Sequence, residues 1–94
     1  MTVQGMPART DDTHTAIRDG LRQLGVRVHD THEIGGGFPD LVCRHHEGPV
    51  VLLEVKTPGS RRRLTKAEAV FHREWAGVVF VVCDLAEAVA VVCE

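Results

Sequence analysis

Apolar residues recur along the chain with two periods, and the switches between them outline the elements. Over residues 11–24, Ile17, Leu21 and Leu24 fall at i, i+4 and i+7, one face of a helix. Asp11, Asp12 or Thr13 suits its start and Gly25 its end. Gly20 inside it costs about 1 kcal/mol relative to alanine. Val26–Asp30 alternates as a short half-buried strand, and Gly35, Gly36 and Gly37 then interrupt regular structure. Asp40–His45 and Pro49–Thr57 read as two strands joined through His46, Glu47 and Gly48. In a three-residue hairpin loop the last position commonly takes a left-handed glycine, here Gly48. The run Val50–Leu53 is apolar on both faces, as a central strand is. Pro58, Gly59 and Ser60 end it. Thr65 and Glu68 have the spacing of a capping box, opening a helix on which Ala67, Val70, Phe71 and Trp75 trace one face and which Gly77 closes. Val78–Cys83 is an apolar run of strand length. Asp84 and Glu87 repeat the capping-box spacing before a short last helix, against which the β-branched Val91 and Val92 weigh.

The predicted order is helix, strand, strand, strand, helix, strand, helix: an α/β domain with a mixed sheet of about four strands flanked by helices. Residues 1–10, with Gly5 and Pro7 and no periodicity, read as a flexible N-terminal tail, and 11–94 as one domain.

Composition narrows the class. The chain has 94 residues, 44% hydrophobic and 26% charged, which excludes a disordered or coiled-coil chain as a whole. No window reaches the about 18 apolar residues of a membrane span, and Met1–Thr10 lacks the apolar core of a secretory signal, so a cytoplasmic location is expected. Cys43, Cys83 and Cys93 are odd in number and contain no CxxC pair, which argues for reduced thiols over a disulfide framework or zinc knuckle. The net charge of −2 is not that of a nucleic-acid coat protein. The basic residues are uneven, however: Arg61, Arg62, Arg63 and Lys66 lie together.

The candidate chemistry is acidic. Glu54 and Lys56 are two apart on a strand and leave the same face. Ionised groups on an apolar central strand are costly unless a polar site uses them. With a loop of His46–Gly48, residue 45 faces 49 and Asp40 faces Glu54, so Asp40, Glu54 and Lys56 share one patch. A four-residue loop, 46–49, would instead turn Asp40 to the opposite face. Two carboxylates without a fixed cation for each suit a hard divalent metal, Mg²⁺ or Mn²⁺. Lys56 is suited to orient an attacking water or hold a phosphate oxygen; acting as base would require a strongly depressed pKa. The alternative for Glu54 and Lys56 taken alone is a surface ion pair at a strand end.

Gly35-Gly36-Gly37-Phe38-Pro39-Asp40-Leu41, then Leu53-Glu54-Val55-Lys56, Leu64-Thr65, Phe71-His72 and Trp75, resembles the PD-(D/E)xK nuclease superfamily, and within it the small stand-alone VRR-NUC type of phages and bacteria. The resemblance implies a restriction-endonuclease-like core. It implies Asp40, Glu54 and the Val55 main-chain carbonyl as metal ligands and Lys56 as the catalytic lysine. It further implies a structure-selective endonuclease acting on branched, flap or junction DNA, often as a homodimer. The chain departs from the pattern on the first helix, where Thr13, His14 and Ala16 stand in place of Glu, Gln or Asn, leaving His14 as the candidate polar group there. Glu68 stands where Gln is frequent.

Beyond the acids, Arg61, Arg62, Arg63 and Lys66 are candidates for phosphate contact. Gly36 and Gly37 are candidates for close passage of a DNA backbone. His72 is expected near the site on its helix. The six histidines show no set of three or four ligands at recognisable spacing, so zinc chemistry is not expected. The leading expectation is a Mg²⁺- or Mn²⁺-dependent DNA endonuclease. The competing ones are a nuclease fold that binds branched DNA or a protein without cutting, and a small interaction protein.

Overall fold

The computed structural model describes residues 9–60 and 63–94; the first eight residues of the predicted tail, and Arg61 and Arg62, lie outside these. Three helices and four strands follow in the predicted order. They are α1 (Arg9–Gln23), β1 (Arg27–Asp30), β2 (Leu41–Arg44), β3 (Val50–Val55), α2 (Lys66–Glu74), β4 (Val79–Val82) and α3 (Leu85–Val92), with a 3₁₀ turn at Pro58–Ser60. The strands form one sheet in the order β1-β2-β3-β4. The β1–β2 and β2–β3 pairs are antiparallel. The β3–β4 pair is parallel, and α2 supplies the crossover such a pair needs.

Alternation along the strands divides the sheet into two faces. Leu41, Cys43, Val51, Leu53, Val55 and Val82 pack with Ile17 and Leu21 of α1 and Ala88 and Val92 of α3 into one core. Val91 and Val92 do not prevent the last helix, because both are used in or against this core. Gly20, an intrinsic weakness in α1, lets the helices approach: a Cβ there would stand 2.6 Å from Leu85 Cδ2.

Local chemistry sets the element ends. α1 stops in a Schellman motif: Val26 N–H donates to Leu21 O at 3.1 Å, Gly25 N–H donates to Arg22 O at 3.0 Å, and Gly25 takes φ 88°. Both halves of the α2 capping box are present. Asp84 caps α3, accepting from Glu87 N–H at 2.8 Å.

Three expectations are corrected. α1 begins at Arg9, so Asp11, Asp12 and Thr13 lie within the helix and do not cap it. The left-handed residue of the β2–β3 turn is His46, at φ 55°, and Gly48 is not among the residues with positive φ. His45 O accepts Gly48 N–H at 3.0 Å, which tightens the turn one residue earlier than a terminal-glycine bulge would. Finally, no residue of α2 is buried. Val70 is 40% and Trp75 48% exposed, because α2 meets the glycine loop and the end of β3 rather than the body of the sheet.

Candidate active site

The β2–β3 register decides whether the acids meet. Leu41 pairs with Leu53, and Asp40 follows just outside the paired residues. Asp40 N–H also donates to Leu53 O, at 2.9 Å and one residue out of that register, so the chain bulges at the end of β2 and the Asp40 side chain reaches Glu54 from there. The register up to Leu41 and Leu53 is the one a His46–Gly48 loop predicts, although the turn chemistry differs.

Asp40 is held on three sides. Its carbonyl accepts Thr31 N–H at 2.8 Å. Thr31 is buried, and its hydroxyl donates to Pro39 O at 2.8 Å, fixing the residue before. The Asp40 carboxylate accepts the Val55 N–H through Oδ2 at 2.8 Å. Asp40 is therefore a positioned carboxylate and not a loose surface acid.

Glu54 is 3% exposed, yet its Oε1 has no hydrogen-bond partner among the described residues. Its carboxyl is raised from 4.5 to about 8, first by burial and then by the neighbouring Asp40 and Glu68 carboxylates, with Lys56 opposing. Buried polar atoms without partners are rare and call for a specific cause. Among the described residues three carboxylates converge here and a single lysine answers them, so the donor set is short of positive charge. A divalent cation fits that deficit and that set of oxygens.

Lys56 contacts both remaining acids. Its Nζ lies 2.9 Å from Glu68 Oε1 and 3.5 Å from Glu54 Oε2. Burial acts to lower the Lys56 pKa, but the Glu68 bond and the Glu54 charge outweigh it, and the net direction is upward. Lys56 is thus held as a cation, suited to orientation and charge stabilisation.

Glu68 does two jobs at once. Its Oε1 accepts Thr65 N–H at 2.9 Å in the capping box and also the Lys56 ammonium. Burial pushes Glu68 upward, but the Thr65 and Lys56 bonds win and hold it below the usual glutamate range. His72, one turn further along α2, has a buried Nε2 without a partner among the described residues. Burial lowers its pKa, Glu68 opposing and Lys56 assisting.

The glycine loop serves the site indirectly. Gly37, at φ 89°, packs so closely that a Cβ would meet Ala67 O at 2.6 Å. Phe38 follows, edge-on to Phe71 at 5.4 Å. Gly37 is thus spent on seating α2, which brings Glu68 and His72 to the end of β3. Gly36, at φ 65°, has open space where a side chain would be.

Other predicted residues fall elsewhere. His14 is turned to Asp30, its Nε2 lying 3.0 Å from Oδ2. Arg63 and Lys66 are exposed near the start of α2. Sequence reading missed Arg27, His29 and Arg44. By the alternation of the strands and their register, these share the sheet face of Leu52 and Glu54 and, with Val42 and Val50, line a shallow cavity. Each is an ordinary outward strand residue in sequence; only pairing across three strands gathers them. Reading spacing along the chain also missed that His14, Asp30 and His32 come together, with ligand atoms all within 4.8 Å of one another.

Compared with models of protein families, with curated proteins and with solved structures, the chain matches none. No helix among the described residues is long and apolar enough to cross a membrane.

Proposed function

We propose that this chain is a metal-dependent nuclease with a restriction-endonuclease-like PD-(D/E)xK core, hydrolysing phosphodiester bonds in branched, flap or junction DNA. The observation that carries the reading is the Glu54 carboxyl. It is buried, one oxygen lacks a donor among the described residues, and it faces two further carboxylates beside a lysine held as a cation. A purely structural ion pair has no use for that excess of acid.

Asp40, Glu54 and the Val55 carbonyl would hold Mg²⁺ or Mn²⁺. When bound, such a cation polarises a phosphodiester and acidifies a coordinated water. The protein's own part is positioning. The Val55 amide fixes the Asp40 carboxylate. Lys56, steered by Glu68, offers N–H donors to a phosphate oxygen or to the attacking water. His72 Nε2 stands ready as a further partner on the same side.

The substrate track we assign to the sheet face carrying Arg27, His29 and Arg44. Val50 pairs with Arg44, and at about 3.3 Å per residue it lies about 13 Å along β3 from Glu54. That places cations where a phosphate backbone entering the acidic cluster would pass, which the net charge of −2 conceals. Arg63 and Lys66 lie toward the other end, and Arg61 and Arg62 adjoin them in sequence. A homodimer, acting in the cytoplasm, would give so small a domain the surface needed to grip a duplex.

The test is incubation of purified protein with Mg²⁺ or Mn²⁺ and labelled flap, junction, nicked and single-stranded DNA. Metal-dependent product from wild type, absent in Asp40→Asn and Lys56→Met, supports the reading. Equal behaviour of all three proteins on every substrate rejects it. A second reading, binding without cleavage, is favoured by one observation: His14, the polar candidate on the first helix, is engaged by Asp30. Salt-sensitive binding of branched DNA with no product would select it.

A further inference from the structure

We infer that His14, Asp30 and His32 form a second metal site, distinct from the acidic cluster and suited to Zn²⁺. Their ligand atoms all lie within 4.8 Å of one another, although they come from three places: α1, the last position of β1, and the loop after it. Two imidazoles and one carboxylate, with a fourth position left for water, form a donor set that zinc accepts and magnesium does not favour. Ring geometry agrees. Two imidazoles on one tetrahedral zinc, at Zn–N of about 2.0–2.1 Å, have ring centroids about 5 Å apart. The His14 and His32 centroids are 5.0 Å apart.

The ligands are also held in place. His14 is 7% exposed, so its ring has few alternative positions. Asp30 Oδ1 accepts the His32 backbone N–H at 3.1 Å, which sets where the His32 side chain begins. Asp30 Oδ2 faces His14 Nε2 at 3.0 Å and also accepts Arg18 Nη1 at 2.9 Å. Arg18 is the competitor for that oxygen. It does not have to lose its counter-charge to a metal, because its Nε already donates to Asp19 at 2.9 Å.

The position gives the site a purpose. Thr31, between Asp30 and His32, donates its N–H to Asp40 O and its hydroxyl to Pro39 O. A metal clamped on both sides of Thr31 ties α1 to the segment that positions Asp40. Binding to the folded chain and not to the unfolded one raises the melting temperature.

The experiment uses the full chain without an affinity tag, titrated with ZnCl₂ by calorimetry and melted with and without Zn²⁺. Four proteins are compared: wild type, His32→Ala, Asp30→Asn and the double variant Asp40→Asn/Glu54→Gln. His32 is exposed, so its loss leaves the fold intact, as a far-UV spectrum like that of wild type checks. The expected result is one Zn²⁺ per wild-type chain and a raised melting temperature. His32→Ala and Asp30→Asn weaken binding at least about tenfold and lose the thermal shift, and the double variant keeps both. Absence of saturable Zn²⁺ binding by wild type overturns the inference. So does binding unchanged by His32→Ala, or binding that disappears only in the double variant.

Discussion

The Val55 amide donates to the Asp40 carboxylate at 2.8 Å, linking the start of β2 to the end of β3 through a side chain. The bond explains how an acid just outside its strand is aimed at its neighbour across the ladder. It also separates two roles of Asp40. Asp40→Asn keeps an oxygen to accept the amide but loses the charge, so under the proposed function metal-dependent cleavage is expected to fall by at least about 100-fold while stability stays within about 1 kcal/mol. Asp40→Ala loses both and costs a further 1–3 kcal/mol or so, from the unsatisfied Val55 N–H. Parallel urea melts and cleavage assays check the split; equal stability of the two variants would show that the bond contributes nothing.

Arg27 and Arg44 provide a test of where the substrate lies. Both are on the Glu54 side of the sheet, and each holds a turn carbonyl, Arg27 that of His46 and Arg44 that of Gly48. Arg27→Gln/Arg44→Gln is expected to weaken binding of branched DNA about tenfold, and to lower the slope of log affinity against log salt by about 2. Fluorescence anisotropy in EDTA at several salt concentrations reads both quantities. An unchanged slope would place the substrate elsewhere.

The order of elements was readable because each has a local signature: the i, i+4, i+7 face of Ile17, Leu21 and Leu24, the Thr65–Glu68 box, the apolar run of β3. The β2–β3 register was readable too, since it follows from loop length, but the bulge that puts Asp40 N–H on Leu53 O was not. Tertiary choices were not. Nothing in the local pattern says that Phe71 and Trp75 stay near the surface, because a helical apolar face looks alike whether it meets a sheet or a loop. Gly20 reads as a defect until Leu85, distant in sequence, is seen against it. Glu68 reads as a cap, which it is; its bond to Lys56 depends on where α2 docks. His14, Asp30 and His32 lack ligand spacing because β1 folds back along α1 to bring them together.

Gly20 and Leu85 are expected to be energetically coupled. A methyl group at position 20 stands 2.6 Å from one Leu85 methyl and 2.9 Å from the other. Because Leu85 can turn its methyl groups aside, Gly20→Ala is expected to change stability by no more than about 1 kcal/mol, the cost of moving Leu85 offsetting the better helix propensity. With Leu85 shortened to alanine the clash is gone, and the same change stabilises by up to about 1 kcal/mol. A double-mutant cycle by chemical denaturation measures the coupling. Additive effects would mean that α1 and α3 do not touch at this point in solution.

Glu54 makes the metal-free protein sensitive to pH. Burial first, then Asp40 and Glu68, raise its carboxyl from 4.5 to about 8, so the folded state retains a proton that the unfolded chain releases. For a group shifted upward, the stabilisation is complete below the unfolded value and is lost as pH rises through the folded one. Wild-type stability in EDTA should therefore decline between about pH 5 and about pH 8 by a few kcal/mol. Glu54→Gln carries no proton to lose, so the Gln variant is expected to gain on wild type across that window, and the proposed function predicts that it does not cleave. Adding Mn²⁺ at the upper pH stabilises wild type and narrows the gap, because the cation takes the place of the missing proton. Urea melts of both proteins at the two pH values, with and without Mn²⁺, decide the matter. A difference that stays constant with pH would show that Glu54 is ionised and satisfied in the folded protein, and the case for a cation between Asp40 and Glu54 would fail with it.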